Sequence, residues 1–153
     1  MVAVPLAGLL AAAVLASTST TAVGAPSVTR LSKEAYIKKG DAICQRAITD
    51  LRKLGPLYPA RKAAAVGIKY LAIDRRTLAA LRSLSAPPAD RERIRKLLAL
   101  ADTAINKGIV GVVAAARSGN NARYTAAAKK AQAMIDKAHA SARAYGFSAC
   151  ARW

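Results

Sequence analysis

Few side chains in this 153-residue sequence could do acid–base, nucleophilic or metal chemistry: one His, two Cys and eight Asp or Glu, set against 25 Lys or Arg. Asp74 is the sharpest of them. It falls at helical spacing among Tyr70, Thr77 and Leu81, a pattern that turns its carboxylate toward a core, where it must be hydrogen-bonded or paired. Two roles fit: a buried acceptor for Tyr hydroxyls or a neighbouring Arg, or a perturbed carboxylate in a pocket. His139 sits one turn before Arg143, at the edge of the last apolar stripe. A lone His there reads as a shoulder residue whose best functional use would be pairing with Asp74; spacing alone does not say whether the two meet. With a single His and no CxxC or CxxCH pattern, zinc and haem chemistry have no ligand set, and no metal or cofactor is expected. Tyr36, Tyr70, Tyr124 and Tyr145 recur on apolar faces, as core residues with their hydroxyls at a polar rim do.

Four helices are needed to position these groups. Ser32 is an N-cap for a first helix running to Leu54, with Tyr36, Gly40, Ile43, Ala47 and Leu51 on one face, Cys44 at its shoulder, and Gly55-Pro56 as its stop. A second helix covers about 61–84 and ends before Ala86-Pro87-Pro88. The run Ile94 to Ala116 alternates its apolar positions by four and three, and it has no charge from Gly108 onward, so it reads as the central, most covered helix. Gly108 and Gly111 would let neighbours approach closely. Gly119 ends that helix, a fourth follows from 122 to 145, and Gly146-Phe147 reads as a Schellman stop. Abundant alanine favours close helix packing over a bulky aromatic core. The fold class is all-α, an up-down-up-down four-helix bundle.

The formal charge of +17 is extreme for this length. Every predicted helix is net positive, so there is no basic arm or tail, no aromatic platform among the cations, and no dedicated nucleic-acid site. Density is greatest around the connection between the second and third helices. Arg75, Arg76, Arg91, Arg93, Arg95 and Lys96 are therefore the candidate contacts to a polyanion, either an anionic cell-wall polymer or an anionic lipid surface.

Residues 1–25 hold an apolar stretch from Val2 to Ala16 followed by small and polar residues, which reads as a secretory signal, although no Lys or Arg precedes the stretch. Residues 26–31 form a flexible lead-in and 32–153 the helical domain. No transmembrane helix is expected in the mature chain, because each helical apolar face is required by the core. In an exported chain, two cysteines make one disulfide, Cys44–Cys150, pinning the tail to the first helix.

The segment Tyr36-Ile-Lys-Lys-Gly-Asp-Ala-Ile-Cys44, the Ala86-Pro87-Pro88 break and the ending Tyr145-Gly-Phe-Ser-Ala-Cys150-Ala carry a resemblance. The chain is similar to small exported actinobacterial helical proteins with an early Asp-Ala-Ile-Cys-like motif and a final Gly-x-x-x-Cys-like motif. The resemblance implies a helical fold, export and the disulfide, and it implies no activity. Many members look like lipoproteins, and this chain departs from them in lacking the lipid-accepting Cys.

The sequence therefore reads as a secreted or envelope-associated, non-enzymatic cationic bundle that binds anionic polymer or lipid, of undetermined oligomeric state. The rival is a small enzyme or ligand-binding protein with an internal pocket near Asp74. An enzyme acting on an anionic metabolite would need that pocket to hold Asp74, a Tyr and at least two guanidiniums.

Overall fold

The computed structural model describes residues 31–153, so the expected signal at 1–25 and nearly all of the lead-in lie outside the described residues. The first helix, α1 (Lys33–Leu54), begins where the Ala35 N–H donates to the Ser32 hydroxyl at 3.2 Å, with Glu34 against the helix dipole. It stops at Gly55, whose φ of 74° few other residues adopt. Helix α2 (Ala60–Arg82) returns beside it. A 3₁₀ turn at Pro88–Asp90 opens the third rod, made of α3 (Arg91–Thr103), a π-helical turn at Ala104–Ile109, and α4 (Val110–Arg117). Helix α5 (Asn121–Tyr145) is capped by the Asn120 side chain, which accepts from the Arg123 N–H, and ends at Gly146 with φ 116°. There the Phe147 N–H donates to the Ala142 carbonyl at 3.1 Å, completing the expected Schellman turn. The architecture is an all-α, up-down-up-down four-helix bundle closed by the Cys44–Cys150 disulfide, with no strand among the described residues.

The third rod departs from the regular α-helix that its four-and-three alternation predicts. The π-helical turn adds a residue to one turn, so the buried face passes from Ile94, Leu97 and Ala101 below it to Val112, Val113 and Ala116 above it. Of its two glycines only Gly108 serves a close approach: a Cβ there would lie 3.3 Å from Cα of Ala131, whereas one at Gly111 would meet nothing within 4 Å. The other close approach belongs to α2, where Val113 seats directly on Gly67. The rod as a whole is long and apolar enough to cross a membrane by composition, and in the bundle it packs against α2 and α5.

The core is small-residue packing at one end and aromatic at the other. Ala63, Val112, Ala116 and Ala131 close the end near the α1–α2 loop, where the Tyr124 hydroxyl donates to the Leu57 carbonyl. At the opposite end Tyr36, Tyr145 and Phe147 cluster with ring centroids 5.4 to 6.2 Å apart, against the expectation of an aromatic-poor core. The C-terminal tail is the reason. It folds back along α1, and Phe147 fills the space left by Gly40, where a Cβ would sit 2.6 Å from the ring.

Candidate functional site: an interior cavity and the tail that walls it

The tail is held to α1 by one carboxylate and one covalent bond. Asp41 lies one turn before Cys44, on the same face, and accepts from the backbone N–H groups of Ser148 at 2.9 Å, Ala149 at 2.8 Å and Cys150 at 3.0 Å, and from the Ser148 hydroxyl. Cys150 then joins Cys44, with 5.0 Å between their Cα atoms. Cys44 is fully buried rather than at the shoulder of its helix, because the tail covers it.

Partial burial pushes the Asp41 carboxyl up, but the hydrogen bonds from Ser148, Cys150 and Ala149 outweigh it and hold the group below its usual 3.8. A depressed carboxylate stabilises the fold above its unfolded pKa and loses that contribution as pH falls through the folded one. Asp41→Asn is therefore expected to lower stability by about 1–2 kcal/mol at pH 7, a figure reduced for solvent screening at this half-exposed site. The difference from wild type should shrink below about pH 4, as urea unfolding at the two pH values would show.

Beyond Cys150 the chain turns inward. The Trp153 indole N–H donates to Oδ1 of Asp74 at 3.2 Å, and the Trp153 backbone oxygen accepts from Nε2–H of His139. Asp74 and His139 are thus joined through Trp153 rather than paired directly. The expected partners of Asp74, a Tyr hydroxyl or an Arg, are replaced by an indole: the Tyr70 hydroxyl is committed to the Gly55 carbonyl at the end of α1. Trp153 and Asp41 are the two residues that sequence reasoning missed. A helical-face count from Cys44 back to Asp41, and the presence of the sole Trp three residues after Cys150, were the available signals.

Asp74, His139 and Trp153 stand on the wall of a cavity of about 260 Å³ at the bundle centre. Its surface is overwhelmingly apolar, formed by residues such as Leu97, Ala101, Ile105, Ile109 and Ile135. Half-exposed lining residues lie on several elements, among them Leu51 of α1, Tyr70 of α2, Leu98 of α3 and Ile135 and Ala138 of α5, and α1 and α5 make little direct contact. Asp74 is 7% exposed, and burial pushes its carboxyl up to about 6, an effect the Trp153 hydrogen bond moderates. Among the described residues only Oδ1 receives a hydrogen bond, and Oδ2, which is not fully buried, belongs to a side chain on the cavity wall. Among the described residues no Lys or Arg lines the space, so the two guanidiniums required for an enzyme acting on an anionic metabolite are not found on this wall.

The six candidate polyanion contacts do not form one patch. Arg75 donates to the Asn106 side chain and Arg76 faces Asp50 at 3.6 Å, midway along α2. Arg91, Arg93, Arg95 and Lys96 ring the start of α3, ten to fifteen residues and so roughly 15–22 Å from the level of Asn106. Several are already committed. Glu92 holds both Arg95 and Lys96, and the Arg95 hydrogen bond draws its carboxyl down to about 2. Arg93 donates to the Ala144 carbonyl and lies over the Tyr145 ring, so it staples α3 to the end of α5. Among the described residues no cluster of three or more His, Cys, Asp or Glu could hold a metal ion. Comparisons with protein-family models, curated proteins and solved structures give no match.

Proposed function

We propose that the protein is an exported, non-enzymatic binding protein that holds an apolar small molecule inside the bundle. The cavity carries this reading. A packed interior leaves few voids larger than a water molecule, whereas this one spans about 260 Å³ and is walled almost entirely by aliphatic side chains with a few convergent polar groups. An apolar cavity of about 150 Å³ suffices for benzene, so this space takes a ligand of about ten carbon atoms. Export is supported by the apolar leader and by the disulfide, which persists in an oxidising compartment.

The test uses the oxidised protein and its only tryptophan, Trp153, as the reporter. Titration with decanol should change the indole emission saturably and raise the melting temperature, and Ala138→Phe, which puts a ring into the cavity from its wall, should abolish both effects. Absence of any response to decanol and to other ten-carbon chains would overturn the reading.

A second reading keeps the +17 surface as an attachment to anionic envelope polymer or lipid, favoured by exposed cations such as Arg91, for which no acidic partner is found among the described residues. Binding to anionic but not neutral vesicles, falling steeply with salt, is its expected signature; attachment that survives high salt would exclude it.

A further inference from the structure

We propose that the ligand is an amphiphile with a nitrogen headgroup, an amine or another strong N–H donor, and that Asp74 is the residue that recognises it. The inference rests on the cavity being a binding site and names the chemistry of what it binds. Asp74 is a carboxylate more than nine-tenths buried, with no Lys or Arg among the described residues of the wall around it. A carboxylate in such surroundings calls for a compensating partner, and the protein supplies one neutral donor to one oxygen. Trp153 shows what the site accepts: a flat apolar body carrying an N–H, aimed at Oδ1. Oδ2 has the same requirement, and no side chain among the described residues meets it.

The competing headgroups fit poorly. A carboxylate or phosphate would face the Asp74 charge with no Lys or Arg among the described wall residues to hold it. A hydroxyl can donate one hydrogen bond to Oδ2 but brings no charge to neutralise. An ammonium does both. The cationic surface opposes its approach little at a distance, because charges beyond about 8 Å are screened at physiological salt. Other polar groups on the wall do not compete for Oδ2: Tyr70 is bonded to the loop after α1, and Nε2–H of His139 is bonded to the Trp153 backbone.

The experiment compares decylamine, decanol and decanoate on the oxidised protein at pH 7.5, read by Trp153 fluorescence and checked by calorimetry. Decylamine is expected to bind at least tenfold more tightly than decanol, the ratio of a charge-assisted hydrogen bond over a neutral one, with decanoate weakest. In Asp74→Asn, which retains an acceptor for the indole, the amine preference should fall to within about threefold while decanol binding persists. Equal binding of amine and alcohol to the wild type, or an amine preference that survives in Asp74→Asn, would overturn the assignment and leave the apolar cavity as a site. Binding of none of the three would remove the site itself.

Discussion

Asp74→Asn is expected to stabilise the protein at pH 7 and to leave it unchanged at pH 4. The carboxyl is raised from 3.8 to about 6 by burial, so the folded protein binds its proton more tightly than the unfolded chain does. For an acid shifted in this direction the penalty is absent below the unfolded value, grows between about 4 and 6, and is complete above the folded value. A shift of this size corresponds to about 3 kcal/mol of stability forgone at neutral pH. Asparagine keeps an oxygen for the Trp153 indole and carries no charge, so most of that should be recovered, about 2 kcal/mol after allowing for the new amide donor facing an apolar space. Denaturant midpoints of the two proteins between pH 4 and 8 would show curves that separate near pH 5. A variant less stable than wild type at pH 7 would mean that the carboxylate has compensation that the indole and the cavity do not explain.

Replacing both cysteines by serine carries the largest expected loss. The bond closes a loop between residues 106 apart, for which the chain-entropy argument gives about 4–5 kcal/mol. For a domain of this size that is a fall in melting temperature on the order of 15–20 °C. The loss should also be local in character. Without the bond, the segment 148–153 is held by Asp41, by the Arg143 bond to the Ala151 carbonyl, and by the contacts of Trp153, so indole emission should shift to the red before the helices melt. A change below about 1 kcal/mol with unaltered emission would show that hydrogen bonds alone seat the tail.

The frame of this molecule was legible because its punctuation is local chemistry. Ser32, Gly55, Gly119 and Gly146 stop or start helices through backbone geometry that depends on neighbours a few residues away. Asp74 was legible as a core carboxylate for the same reason, since helical spacing fixes which way it faces. Its partner was not. Trp153 reaches it by a path through six irregular residues, and no periodicity describes such a segment. The cavity was invisible for a different cause: it is a space between helices, and a stripe of apolar residues reads identically whether it meets a neighbour or faces a void. The basic cluster was legible as composition only. Its dispersal over two levels of the bundle follows from where the third rod starts: Arg91 to Lys96 lie just past the end of α2, and the returning rod reaches the level of Arg75 only at Asn106.

The π-helical turn at Ala104–Ile109 has a consequence for how this chain can change its length. Residues above and below it keep faces set about one residue apart, so that Val113 meets Gly67 while Ile94 and Leu97 still meet the aromatic end. Because the turn holds one residue more than an α turn, deleting one residue within it would restore ordinary α pitch and leave α4 facing as it does now. Val113 would stay on the bare backbone of Gly67. The six-residue stretch is thus a place where the third rod can lose a residue without unseating one half of the bundle from the other, and exposed Lys107 is the residue whose removal takes least from the core.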